Sequence, residues 1–210
     1  AERELERAVA ETESVAGMVV VVEPFSGEVL AMAGRPTFNP NRYQAYKTAI
    51  WRNRAVSDVF EPGSIFKIVT AAAGLQEGVV SPLEVIDCGN GSIEIAGTRI
   101  NDHAVFSSLT FQDVIAKSSD IGVIRVAQRV GPEKFYAAMK AFGFGARTGL
   151  GLPGETAGLL RGTKSWSALS LASMSFGQEV GVTAIQMASA AAVIANGGYW
   201  MRPYIVKKVE

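Results

Sequence analysis

Along residues 2–12, Leu5, Ala8 and Val9 fall on one stripe among charges, which predicts an amphipathic helix packed on a sheet. The valine-rich run Gly17 to Val22, the turn formers Pro24-Phe25-Ser26-Gly27 and the run Val29-Leu30-Ala31-Met32 predict a β-hairpin. Between Arg35 and Phe60 periodicity fades, and Pro36, Asn39-Pro40-Asn41, Tyr43, Tyr46 and Trp51 indicate an ordered loop region. Glu61-Pro62-Gly63 cannot continue a helix from upstream, so a new one begins at Ser64. From Ile65 to Leu75 that helix is apolar on every side except Lys67, Thr70 and Gly74, the pattern of a helix buried in a core.

Beyond it, Ser92 to Ile95 and Thr98 to Ile100 alternate around Ala96-Gly97 and predict a small hairpin. Thr110 with Asp113 opens a helix that breaks at Lys117-Ser118-Ser119-Asp120. Another runs from Ile121 to Gly131-Pro132, and a third covers residues 133–142. A glycine-rich connection spans Gly143 to Gly162. Thr183 with Gln186 carries a capping-box signature for an alanine-rich helix that Asn196-Gly197-Gly198 ends, and Tyr204 to Val209 reads as a strand. No repeat or linker divides the chain. The expectation is one α/β or α+β domain, with one sheet assembled from both ends of the sequence.

Composition narrows the function. The 210 residues are 48% hydrophobic, which suits a folded domain, and 20 basic residues balance 20 acidic ones, so charge favours neither nucleic acid nor an anionic membrane. The single Cys88 can form no internal disulfide, and ligand count excludes a structural zinc site. No run reaches the length of a transmembrane helix, and the charged first residues differ from a signal peptide.

The anomaly is Lys67, three residues after Ser64 in an otherwise apolar segment. That spacing places both side chains on one face. An ammonium is costly to bury, so a lysine here is suited to taking a proton from a neighbouring hydroxyl. Backbone N–H groups at a helix start can stabilise a developing oxyanion. Ser-x-x-Lys can thus supply nucleophile, base and part of an oxyanion hole; the plain alternative is a capping serine and a lysine extending to water. The second feature, Ser118-Ser119-Asp120, puts two hydroxyls and a carboxyl at a break between helices, with helix capping as its plain alternative. His103 has no partners for catalysis or metal binding, and Gly143 to Gly151 lacks phosphate-loop or dinucleotide spacing.

In this order, and within the stretches Val21-Val22-Glu23-Pro24, Pro36-Thr37-Phe38-Asn39-Pro40, Asn53-Arg54-Ala55-Val56, Phe60-Glu61-Pro62-Gly63-Ser64-Ile65-Phe66-Lys67, Ile100-Asn101-Asp102, Ala116 to Gly122, Leu152-Pro153-Gly154-Glu155 and Ser175-Phe176-Gly177-Gln178, the two motifs resemble the transpeptidase domain of class B penicillin-binding proteins. The resemblance covers nearly the whole chain and is nearest to the cell-division type, with elongation and sporulation enzymes as near relatives. It implies the fold shared with serine β-lactamases, an antiparallel sheet flanked by helices, here incomplete.

It further implies that Ser64 attacks the penultimate D-Ala carbonyl of a peptidoglycan stem peptide, Lys67 accepts its proton, and Ser118 relays a proton to the leaving D-Ala. An amine of a second stem peptide then resolves the acyl-enzyme, and β-lactams acylate the same serine. Ser119, Asp120, Gly177 and Gln178 are the implied substrate-binding residues, with no metal and no cofactor. Implied partners are a cell-wall glycosyltransferase and divisome or elongation proteins, on the outer side of the bacterial cytoplasmic membrane, where a segment absent from this chain anchors the protein.

Two departures stand out. Asp120 occupies a position where the family usually has Asn; an ionised carboxyl only accepts hydrogen bonds, and it can pair with Lys67. The family's third motif, Lys-Thr-Gly or Lys-Ser-Gly, occurs nowhere in the chain. The sequence is therefore expected to be a transpeptidase domain, residues 1–210, truncated before that motif, with little or no activity of its own. Competing readings are a serine β-lactamase or β-lactam sensor and a non-catalytic scaffold of the same fold.

Overall fold

A computed structural model describes residues 1–209. Helix α1 (Glu2–Glu11) buries Leu5 on its apolar stripe, and β1 (Gly17–Val22) pairs antiparallel with β2 (Val29–Arg35), as the sequence predicts. The loop region that follows is organised by 3-10 turns at Pro40–Ala45 and Thr48–Ile50 and by the short helix α2 (Arg54–Ser57), which Asn53 caps through the Ala55 N–H.

The segment after Pro62 starts later as an α-helix than expected. A 3-10 turn covers Gly63–Phe66, and α3 (Lys67–Gln76) follows. Nor is the segment buried all round: Phe66, Lys67, Val69, Thr70, Ala73 and Gly74 are buried, whereas Ile65 and Leu75 are exposed. Apolar residues outnumber the positions its neighbours cover.

Strand β3 (Val85–Asp87) precedes the hairpin of β4 (Ser92–Ile95) and β5 (Thr98–Asn101) and pairs with β6 (Ser108–Thr110). Three helices come next: α4 (Phe111–Ala116), capped by Thr110; α5 (Asp120–Val130), capped by Ser119; and α6 (Pro132–Ala141), opened by proline at its first position. The short α7 (Ser170–Ser175) was not legible, and α8 (Ala184–Ala195) begins on a complete capping box of Thr183 and Gln186.

The strand expected over Tyr204 to Val209 is a correction: Tyr204 makes one parallel bridge to Glu28, and residues 205–209 form no strand. Likewise, instead of one sheet, the described residues hold three two-stranded sheets.

The chain divides into two compact units. One comprises Ala1–Phe60, Gly143–Gly158 and Val182–Glu210. In it α1, α2 and α8 pack on the β1–β2 hairpin, and the glycine-rich connection is ordered by buried polar groups. Glu155 accepts from the Thr148 N–H at 2.7 Å, and Gln186 donates to the carbonyls of Ala146 and Ala157. The other unit comprises Glu61–Phe142 and Leu159–Gly181. There α5 is central, packing against α3, α4, α6 and α7, and its core includes Ile86, Phe111, Val114, Val123, Ile124, Val126 and Phe176. Two glycines permit this packing: a Cβ at Gly74 would strike Val126, and one at Gly122 would strike Val114.

Candidate active site

All the residues singled out for chemistry lie in the second unit. Ser64 sits in the 3-10 turn, where residues three apart eclipse, so Lys67 follows on the same side; the Lys67 N–H bonds the Ser64 carbonyl. Ser64 is exposed, and among the described residues its hydroxyl makes no hydrogen bond. Lys67, by contrast, is only 2% exposed.

The buried ammonium is fully partnered. Nζ donates to the Ser118 carbonyl at 2.6 Å and the Ser118 hydroxyl at 2.9 Å, and it lies 2.6 Å from Asp120 Oδ1. Three donors meet three acceptors, one of them charged, which offsets the desolvation of the amine. Ser118 presents both oxygens from a left-handed backbone, φ +56°, a conformation a non-glycine residue adopts only when its surroundings impose it.

Those surroundings are the turn between α4 and α5. The Ser118 N–H bonds the Ile115 carbonyl and the Ser119 N–H bonds the Val114 carbonyl. Ser119 is wholly buried; its hydroxyl accepts from the Gly122 N–H and donates to Asp102 Oδ2 at 2.6 Å, with Cys88 Sγ beyond. The plain capping alternative therefore describes Ser119, while Ser118 and Asp120 turn to Lys67. Burial pushes the Cys88 thiol up from its ordinary value, against the hydrogen bond from Ser119.

Gly177 abuts the Ser64 turn. Its carbonyl accepts from the Gly63 N–H at 3.1 Å, its φ is +82°, and a Cβ there would collide with the Gly63 backbone. Gln178 is exposed, and its N–H bonds the Ser173 carbonyl. The same loop is tied a second time: the Glu179 N–H donates to Glu61 Oε1 at 2.9 Å, and the Glu179 carboxylate accepts from Arg161 and the Ser170 hydroxyl.

Sequence reasoning missed Asp102, Glu61 and Glu179 as members of this constellation. Asp102 and Glu61 stand within the stretches that carry the family resemblance, but no spacing relates them to the residues they meet. Among the described residues no group of His, Cys, Asp and Glu is arranged to hold a metal, and no helix is long and apolar enough to cross a membrane.

Known proteins share this arrangement of sequence and fold. The family model for the penicillin binding protein transpeptidase domain matches residues 17–210. Penicillin-binding protein PbpB of Mycolicibacterium smegmatis is 42% identical over 194 residues, covering 90% of this chain and 29% of the relative. Peptidoglycan D,D-transpeptidase FtsI of Escherichia coli K12 is 38% identical over 208 residues, covering 99% of this chain and 35% of FtsI. A crystal structure of penicillin binding protein 3 of Mycobacterium tuberculosis complexed with ampicillin superposes with a TM-score of 0.92 at 37% identity, over 98% of this chain and 46% of that one. The chain thus spans about a third of the length of these curated relatives. It belongs to the penicillin-binding protein transpeptidase family.

Proposed function

We propose that the protein carrying this chain is a serine peptidoglycan D,D-transpeptidase and a target of β-lactams. The observation that carries the proposal is the buried, fully partnered Lys67, held by Ser118 and Asp120 three residues after an exposed Ser64 whose hydroxyl makes no hydrogen bond among the described residues. A lone lysine more commonly keeps its head group in water.

In the proposed reaction Ser64 Oγ attacks the penultimate D-Ala carbonyl. An ester forms, the D-Ala–D-Ala amide breaks, and the proton lost by Ser64 reaches the leaving amine through Lys67 and Ser118. An amine from a second stem peptide then attacks the ester, forms the cross-link and returns the proton to Ser64. Gly177, Gln178 and Asp120 flank the substrate in this reading, and Ser119 contributes by holding the turn. Extracytoplasmic membrane anchoring, a glycosyltransferase and divisome or elongation proteins as partners belong to the same proposal.

Asp120 gives this site a character of its own. An ammonium has no lone pair and cannot accept the Ser64 proton, so Lys67 must release a proton to solvent and give up its pairing with Asp120 before it acts as a base. The test is product analysis with the full-length protein, a stem pentapeptide donor and an amine acceptor. Transfer product is expected, and it is expected to vanish in Ser64→Ala. Rapid nitrocefin turnover would instead identify a β-lactamase, and neither product nor adduct would identify a scaffold.

A further inference from the structure

Asp102 lies just past the end of β5, at the first residue of the connection that leads towards β6, and its carboxylate gathers one turn of the site. Oδ1 accepts from the N–H groups of Asp120 and, at 3.2 Å, Ile121; Oδ2 accepts from the Ser119 hydroxyl at 2.6 Å. The residue is itself tethered, because its own N–H bonds the Gly91 carbonyl at 3.0 Å. Every group it holds is within three residues of Ser118, the left-handed residue that supplies two of the three acceptors around Lys67; Asp120 supplies the third.

We infer that Asp102 is a positioning residue for the acylation step: it fixes the turn after α4 so that the Ser118 hydroxyl, the proposed proton relay, meets the Lys67 amine. This rests on the transpeptidase reading. The physical reason is that a left-handed non-glycine residue and a buried hydroxyl both need external anchors. The carboxylate provides charge-assisted acceptors at a helix start, where negative charge is favoured. Without them the Ser119 hydroxyl and two amides lose their acceptor, and the turn relaxes away from Lys67.

The test uses the full-length protein with Asp102→Asn and Asp102→Ala, measuring benzylpenicillin binding before reaction separately from the acylation rate constant. Asn retains an acceptor for the two amides, but its amide nitrogen is a donor and cannot accept from the Ser119 hydroxyl. The acylation constant is expected to fall about 3- to 10-fold for Asn and about 100-fold for Ala, with the non-covalent dissociation constant within about twofold of the parent. If the alanine variant does not fold, the asparagine variant decides. An unchanged acylation constant in Asp102→Asn, or a loss confined to binding or to Tm, overturns the role. A parent protein that benzylpenicillin never acylates overturns the transpeptidase reading and this role together.

Discussion

At the scale of single residues, the site is governed by what surrounds one amine. Lys67 is almost fully buried, and its amine is met by the Ser118 carbonyl, the Ser118 hydroxyl and the Asp120 carboxylate. Asp120 is the charged partner. In Asp120→Asn the charge partner is gone and an amide donor is available to the substrate, while Ser118 still accepts from the amine. Acylation by a fluorescent penicillin is expected to quicken about tenfold, measured as the rate of label incorporation at fixed concentration. A slower rate would show that Asp120 serves acylation itself.

At the scale of elements, the site depends on two close approaches made by α5 and its partners. Gly122 lets α5 meet Val114 of α4, and Gly74 lets α3 meet Val126 of α5. Gly122→Ala and Gly74→Ala are each expected to lower stability by about 1–3 kcal/mol, read as a drop in the denaturant midpoint. Most of the helices that make these contacts were legible, because capping residues and apolar periodicity act locally: Thr110, Ser119 and the Thr183–Gln186 box all cap the helices they precede. What escaped is what depends on partners distant in sequence. β3 and β6 are three residues long and show no period, α7 is a six-residue run with only two large apolar residues, Leu171 and Met174, and Tyr204 to Val209 has strand-like residues but one bridge. The site follows the same division. Ser64, Lys67, Ser118 and Asp120 were readable from local motifs; Asp102 and Glu179 were not, because their roles arise from contacts with residues 17 or more positions away, Ser119 and Glu61.

At the scale of the whole molecule, every residue given a role in the proposed acylation sits in the unit of Glu61–Phe142 and Leu159–Gly181, which also holds the single cysteine. Cys88 is wholly buried beside the Ser119 hydroxyl, so its modification reports opening of this unit. A thiol reagent is expected to react with native protein at least about 100-fold more slowly than with a free thiol and to recover full speed in denaturant; rapid native reaction would contradict the packing around Ser119. The central claim is that Ser64 is the acylated nucleophile of a penicillin-binding transpeptidase. Intact-mass and peptide-mapping measurement after benzylpenicillin tests it most directly. One covalent adduct per full-length chain, mapped to the peptide bearing Ser64 and absent in Ser64→Ala, is the predicted result; no adduct, or one that persists in Ser64→Ala, would contradict it.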